Sequence, residues 1–194
     1  MFTIPGDAAI EQGVRQLPPE VYALNGAWIE HSLKARRDAL PAEVMNYYEA
    51  LARKPVIYGT DKHEKFVVRA RGVDLEIEMW QTSSKGKEKE LLFSRLFLAS
   101  ETREINLLGL AGSDSFVFEG SGRSPIRLLV HGGADEDRYE LKKGDKAPAP
   151  IRIYDTPAGN TFKTGRGIKV KKKKTPALKN FDANGRLLEF YIWD

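Results

Sequence analysis

The chain has no cysteine among its 194 residues, which excludes a disulfide framework, a thiolate metal site and a cysteine nucleophile. Histidine is nearly as scarce. His31, His63 and His131 are the only three, none at metal-ligand spacing from another, and each is expected on the surface or in a turn rather than as a ligand or general base. The longest apolar run is a few residues, far short of the roughly 20 a helix needs to cross a bilayer. Met1-Phe2-Thr3-Ile4-Pro5 also lacks the charged and apolar regions of a secretory signal. No H-E-x-x-H, G-x-S-x-G or G-x-x-x-x-G-K-[ST] motif occurs. Gly165-Arg166-Gly167 lacks the third glycine of a dinucleotide fingerprint, and the carboxylates show no glycosidase-like pairing. The sequence therefore nominates no catalytic, cofactor-binding or metal-binding residue, and the chain is read as not an enzyme.

What is present is a globular composition, with 41% apolar residues, enough for a sizeable core. The formal net charge of +4 is local. Lys163, Arg166, Lys169, Lys171, Lys172, Lys173, Lys174 and Lys179 lie between Thr156 and Phe181 with no acid among them, and elsewhere acids outnumber bases. One basic segment is a contact for an anionic lipid or polysaccharide surface, or a solvated edge-strand gatekeeper, with the gatekeeper preferred. It is not the footprint of a nucleic-acid-binding domain, and no nucleic-acid partner is expected.

Residues 1–54 read as a helical cap. Asp7 is placed as the N-cap of a helix carrying Ile10, Val14 and Leu17 and stopped by Pro18-Pro19. Ile29, Leu33 and Leu40 mark a second helix that ends before Pro41. A third then carries Val44, Met45, Tyr48, Leu51 and Ala52 inward and stops before Pro55.

From residue 55 to 194 the apolar period changes to alternation, and strands are expected. Val73 to Gln81 and Leu91 to Ala99 read as an inserted hairpin, near 73–99, around a polar loop at residues 82–87. Beyond Thr102 the chain aligns with itself at an offset of 23. Ile105, Leu128 and Ile151 coincide, as do Leu107, Val130 and Ile153. Gly109, Gly132 and Asp155 then open a turn, Asp114, Asp137 and Asn160 close it, and Phe116, Tyr139 and Phe162 begin a second strand. Ile57, Gly59, Glu64, Phe66 and Val68 form an older copy 50 residues upstream of the first full one. Short repeats of this size bury their apolar faces only by stacking. The expected fold is therefore mainly β with an N-terminal helical cap, a short β-solenoid or β-helix-like stack built on a 23-residue repeat. The ends would be closed by the helices and by Leu187, Leu188, Phe190, Ile192 and Trp193.

The stretches Gly109–Val117 and Gly132–Glu140 resemble a degenerate form of the glycine-aspartate nonapeptide of RTX calcium-binding rolls. Leu110 and Asp135 stand where that pattern has glycine. The resemblance implies a Ca²⁺ site between Asp114 and Asp137. The favoured reading is structural, with glycine supplying left-handed backbone and Asp or Asn bonding its own turn, and no cofactor is assigned.

A second resemblance rests on Leu17-Pro18-Pro19-Glu20-Val21-Tyr22-Ala23-Leu24, Leu33-Lys34-Ala35-Arg36-Arg37-Asp38, Tyr58-Gly59-Thr60-Asp61-Lys62, Ile105-Asn106-Leu107-Leu108-Gly109-Leu110 and His131-Gly132-Gly133. Over most of residues 10–165 the chain resembles a region of large cell-envelope proteins of Bacteroidetes-type bacteria. Those pair an upstream calcineurin-like metallophosphoesterase domain with an outer-membrane barrel or surface-antigen region. The resemblance implies a periplasmic or outer-membrane-associated scaffold or linker whose partners are the flanking domains, and no catalytic position matches. The leading expectation is a non-catalytic structural or interaction module. The alternatives are a ligand-binding module for Ca²⁺ or for an anionic envelope surface and, ranked last, an enzyme with an unrecognised site.

Overall fold

The structure, a computed structural model, describes residues 4–120 and 122–173. The chain divides into two compact units, Met1–Leu51 and Ala52–Asp194.

The first unit is helical. Helix α1 spans Asp7–Val14 and α2 spans Pro19–Arg53. Asp7 is not the N-cap; Gly6 holds that position without a side-chain bond. Asp7 instead sits in the first turn and reaches Arg37 at 2.5 Å, while Glu11 reaches Lys34 at 2.6 Å. These pairs set α1 along the first half of α2, with Ile10 and Val14 buried. Pro41 does not end a helix, contrary to expectation, but lies inside α2. It removes one backbone donor and crowds the carbonyl four residues back. Good helix formers on both sides, from Lys34 to Leu40 and from Ala42 to Ala52, offset that local loss.

The second unit contains eleven described strands. They are β1 Val56–Tyr58, β2 Glu64–Arg71, β3 Asp74–Thr82, β4 Glu88–Phe97, β5 Glu104–Leu110, β6 Ser115–Glu119, β7 Arg127–Gly133, β8 Arg138–Leu141, β9 Ile151–Tyr154, β10 Thr161–Lys163 and β11 Ile168–Lys171. One sheet is wholly parallel in the order β1-β5-β7-β9-β11, and the other is mixed in the order β10-β8-β6-β2-β3-β4. Ile105 pairs with Leu128 and Leu128 with Ile151, while Phe66 pairs with Phe116, Phe116 with Tyr139 and Tyr139 with Phe162. Their inward side chains, with Val68, Leu107, Phe118 and Ile153, form the buried core.

The expected fold class is corrected by this topology. The chain is α+β, with a five-stranded and a six-stranded sheet and a long N-terminal helix, and it is not a β-solenoid or β-helix stack. The six-stranded sheet turns antiparallel at β3 and β4. At the other end Ile168 pairs with Ile151, a shorter step than the 23 residues separating Ile151 from Leu128. The hairpin near 73–99 does not project as an insertion. Its strands continue the sheet, and Leu75, Ile77, Met79 and Phe97 belong to the core. The closing residues expected at Leu187 to Trp193 lie outside the described residues.

Candidate functional site

Three chemical columns cross the parallel strands where the chain passes from the five-stranded to the six-stranded sheet. The first is aromatic. Phe66, Phe116, Tyr139 and Phe162 stack face to face with centroids 4.8, 5.1 and 5.0 Å apart. These separations match the spacing of neighbouring strands, so the parallel register itself places the rings in contact.

The second column is Glu64, Asp114, Asp137 and Asn160. The backbone N–H of Glu64 donates to Asp114 Oδ1 at 2.8 Å, that of Asp114 to Asp137 Oδ1 at 3.0 Å, and that of Asp137 to Asn160 Oδ1 at 2.6 Å. Asp114, Asp137 and Asn160 thus each satisfy the amide of a neighbouring strand, a role that the reading of these residues as bonding only their own turns does not contain. The arrangement meets an obligation, because a buried amide at a strand entrance has no water to bond. Asn160 also donates through Nδ2 to the Thr156 carbonyl at 2.8 Å, and Glu64 accepts from the Thr60 amide at 3.1 Å.

The third column is Gly59, Gly109 and Gly132, with Asp155 as its last member. A methyl at Gly109 would collide with the Gly132 carbonyl and with Asp114 Oδ2. One at Gly132 would collide with the Tyr139 hydroxyl, Asp137 Oδ2 and Asp155 Oδ2. Where the column changes to Asp155, the aromatic column changes to Tyr139, and the Tyr139 hydroxyl donates to Asp155 Oδ2 at 2.7 Å. Asp155 Oδ1 takes the Thr156 amide at 2.7 Å. Both departures from the repeat stand in the sequence, but only the register reveals that they answer each other.

Burial, reinforced by Asp137, Glu64 and Asp135, pushes the Asp114 carboxyl up to about 10. Asp114 Oδ2 has no hydrogen-bond partner among the described residues. Burial likewise raises the Tyr139 phenol, and Asp137 and Asp155 beside it add to the shift. The Asp114 carboxyl therefore holds its proton well above the ordinary carboxylate range. Its Oδ1 and that of Asp137 are spent on backbone amides, and the described residues contain no group of three His, Asp or Glu arranged to hold a metal. The geometry favours a structural column over the Ca²⁺ site implied by the RTX resemblance. Leu110 and Asp135 stand at positive φ, 79° and 66°, so both departures from the glycine pattern keep left-handed backbone at these turns.

Beside the column lies a polar cleft of about 650 Å³ lined by His63, Lys65, Ser83, Ser113, Arg138 and Glu140, among others. Its groups already hold one another. Ser113 N–H donates to His63 Nδ1 at 3.0 Å, Lys65 is tied to Glu88 at 2.7 Å, and Arg138 to Glu140 at 2.5 Å. His31 is exposed on α2. His131 departs from the surface reading: it is buried, stacks on Tyr154 with centroids 5.1 Å apart, and desolvation lowers its imidazole below the ordinary range.

Two further features concern partners. Among the described residues β11 is the last strand of its sheet, and on it Ile168 and Val170 pack against the core while Lys169 and Lys171 are exposed. That alternation has the form of an edge gatekeeper. Lys172 and Lys173 are exposed, whereas Lys174 and Lys179 lie outside the described residues. On α2 every residue from 38 to 51 is exposed, including Leu40, Val44, Met45, Tyr47, Tyr48 and Leu51. The inward placement expected for Val44, Met45, Tyr48 and Leu51 is thereby corrected; of that set Ala52 alone is buried. No helix among the described residues is long and apolar enough to cross a membrane. No protein-family profile, curated protein or solved structure matches the chain.

Proposed function

We propose that the chain is a non-catalytic structural and interaction module of a larger bacterial envelope protein, periplasmic or outer-membrane-associated, and that the apolar face of α2 docks against a flanking domain. The observation that carries this reading is the exposed stretch from residue 38 to 51. Leu40, Val44, Tyr47, Tyr48 and Leu51 recur at the spacing of a single helical face, and all are exposed. An isolated helical segment of this length is marginal in water, and its stability ordinarily comes from packing an apolar face. The β-sheet unit complements it. Its buried polar column serves strand pairing, which suits a rigid spacer better than a reaction centre.

Hydrogen exchange of the isolated chain, compared with the same residues in a longer polypeptide that includes the flanking domains, tests the assignment. Amides of residues 38–53 are expected to exchange at least about tenfold more slowly in the longer protein. Leu40→Lys, Val44→Lys and Leu51→Lys together are expected to abolish that protection and leave the sheet amides unchanged. Equal exchange of the helix in both contexts would overturn the docking role.

A further inference from the structure

A second cleft, of about 670 Å³, opens at the opposite ends of the strands, among the three connections that lead from the six-stranded back to the five-stranded sheet. Its lining is Gly122, Arg123, Lys146, Ala147, Ala149, Arg166 and Gly167. Three of these seven residues are cations and none is an acid.

The placement of the cations follows from the fold. Arg123 precedes β7 and Lys146 precedes β9, 23 residues apart, and β7 and β9 pair at that same offset. The two therefore lie on adjacent connections of the parallel sheet. Arg166 joins them because the Ile151 amide bonds the Gly167 carbonyl at 3.3 Å, drawing the β10–β11 connection onto the start of β9. The site is braced. Ser124 N–H donates to the Pro148 carbonyl at 2.7 Å, the Ser124 hydroxyl to the Val73 carbonyl at 2.7 Å, and Gly120 N–H to Asp145 Oδ2 at 2.9 Å. Asp145, the acid next to Lys146, is thus turned onto a backbone amide. Ala147 and Ala149 are buried beneath the cleft, and Gly167 lies close against Ala147 at a positive φ of 99°.

Some cations of the sheet unit are paired and others are solvated singly; what sets this cleft apart is that three unpaired cations line one hollow with no acid among them. Lys65, Arg69, Arg71, Arg127, Arg138 and Lys142 each hold a carboxylate. Arg123, Lys146 and Arg166 hold none among the described residues. Three like charges kept together on braced loops repel one another, and an oxyanion placed between them relieves the repulsion. Two guanidinium groups and one ammonium are a donor set suited to bidentate recognition of phosphate.

We infer that this cleft is a binding site for a phosphate-bearing, water-soluble ligand such as a phosphorylated saccharide or short polyphosphate. A lipid headgroup carries the same phosphate chemistry, and the exposed Val73 adjoins Ser124, so the test separates the two sources. A single-stranded nucleic acid is disfavoured because no aromatic ring lines the cleft for base stacking.

The test uses the full 194-residue chain at low salt with short-chain sodium polyphosphate as the probe, and phosphatidylglycerol vesicles as a separate arm. Arg123→Ala, Lys146→Ala and Arg166→Ala together are expected to weaken polyphosphate binding by about tenfold or more, the scale of losing one or more charge-assisted bonds. Lys62→Ala, Lys85→Ala and Lys89→Ala together, which remove the same charge away from the three connections, are expected to weaken it less than about threefold, the modest effect of charges that do not touch the ligand. All six side chains are exposed, so unchanged thermal melting verifies folding in both variants. Absence of polyphosphate binding in the parent chain would overturn the inference, as would equal losses in the two triple variants. Binding to vesicles without binding to polyphosphate would overturn the soluble-ligand assignment in favour of a lipid headgroup.

Discussion

Gly132→Ala is expected to destabilise the chain by about 4 kcal/mol, read as the shift in urea midpoint at unchanged slope. The added methyl meets the Tyr139 hydroxyl, Asp137 Oδ2 and Asp155 Oδ2 inside van der Waals contact. None of these groups has room to withdraw. Tyr139 and Asp155 are 0% exposed and bonded to each other, and the Tyr139 ring is fixed between Phe116 and Phe162. Overpacking alone costs about 1–3 kcal/mol, and breaking the Tyr139–Asp155 bond strands buried polar groups at a further cost of about 1–3 kcal/mol. Gly13→Ala is the control, because an added methyl there meets nothing within 4 Å and Gly13 lies within α1. It is expected to be neutral or stabilising by up to about 1 kcal/mol. Equal stability of the Gly132 and Gly13 variants would show that the column tolerates rearrangement.

The rows themselves were legible before the structure, and the reason is physical. Parallel strands with inward residues two apart impose a fixed offset on the sequence, so Leu128 and Tyr139 could be matched to their neighbours by counting. What surrounds the rows was not legible. β3 and β4 have the alternation of any hairpin, and nothing local says that Leu75 and Ile77 face the same core as Val68. Pro41 carries a strong local stop signal that the flanking helix formers override. The apolar stripe of α2 was correctly periodic but wrongly placed inward, because periodicity names a face and not what covers it. At the acid column the Gly and Asp positions announced a turn, but the bond from Asp114 to the amide of Glu64 spans 50 residues and depends on register. Arg123 and Lys146 were open to the same counting that found the apolar rows, had it been extended to charged positions.

Asp114→Asn is expected to stabilise the chain at alkaline pH and to flatten a pH dependence that the parent chain shows. In the folded state burial and the neighbouring acids lift this carboxyl from 3.8 to about 10, whereas in the unfolded chain it ionises in the ordinary range. Between those values unfolding releases a proton, so rising pH favours the unfolded chain. The contribution is therefore fully present below about pH 4 and is lost progressively as pH rises toward 10, with a limiting slope for one proton of about 1.4 kcal/mol per pH unit. Asparagine keeps the Oδ1 acceptor that serves the Glu64 amide and cannot ionise. The protein already uses it in the same column, where Asn160 serves the Asp137 amide through Oδ1 and donates through Nδ2 to Thr156. Urea unfolding at pH 5, 7 and 9 is the measurement. The parent is expected to lose several kcal/mol across that range and Asp114→Asn markedly less, with the variant ahead by about 2 kcal/mol or more at pH 9. Asp114→Ala separates the acceptor from the charge, because it also escapes ionisation but leaves the Glu64 amide buried without its partner. It is expected to fall below the parent at pH 5, where the asparagine variant does not. Parallel stability curves for parent and Asp114→Asn from pH 5 to 9 would mean that Asp114 does not retain its proton in the folded column.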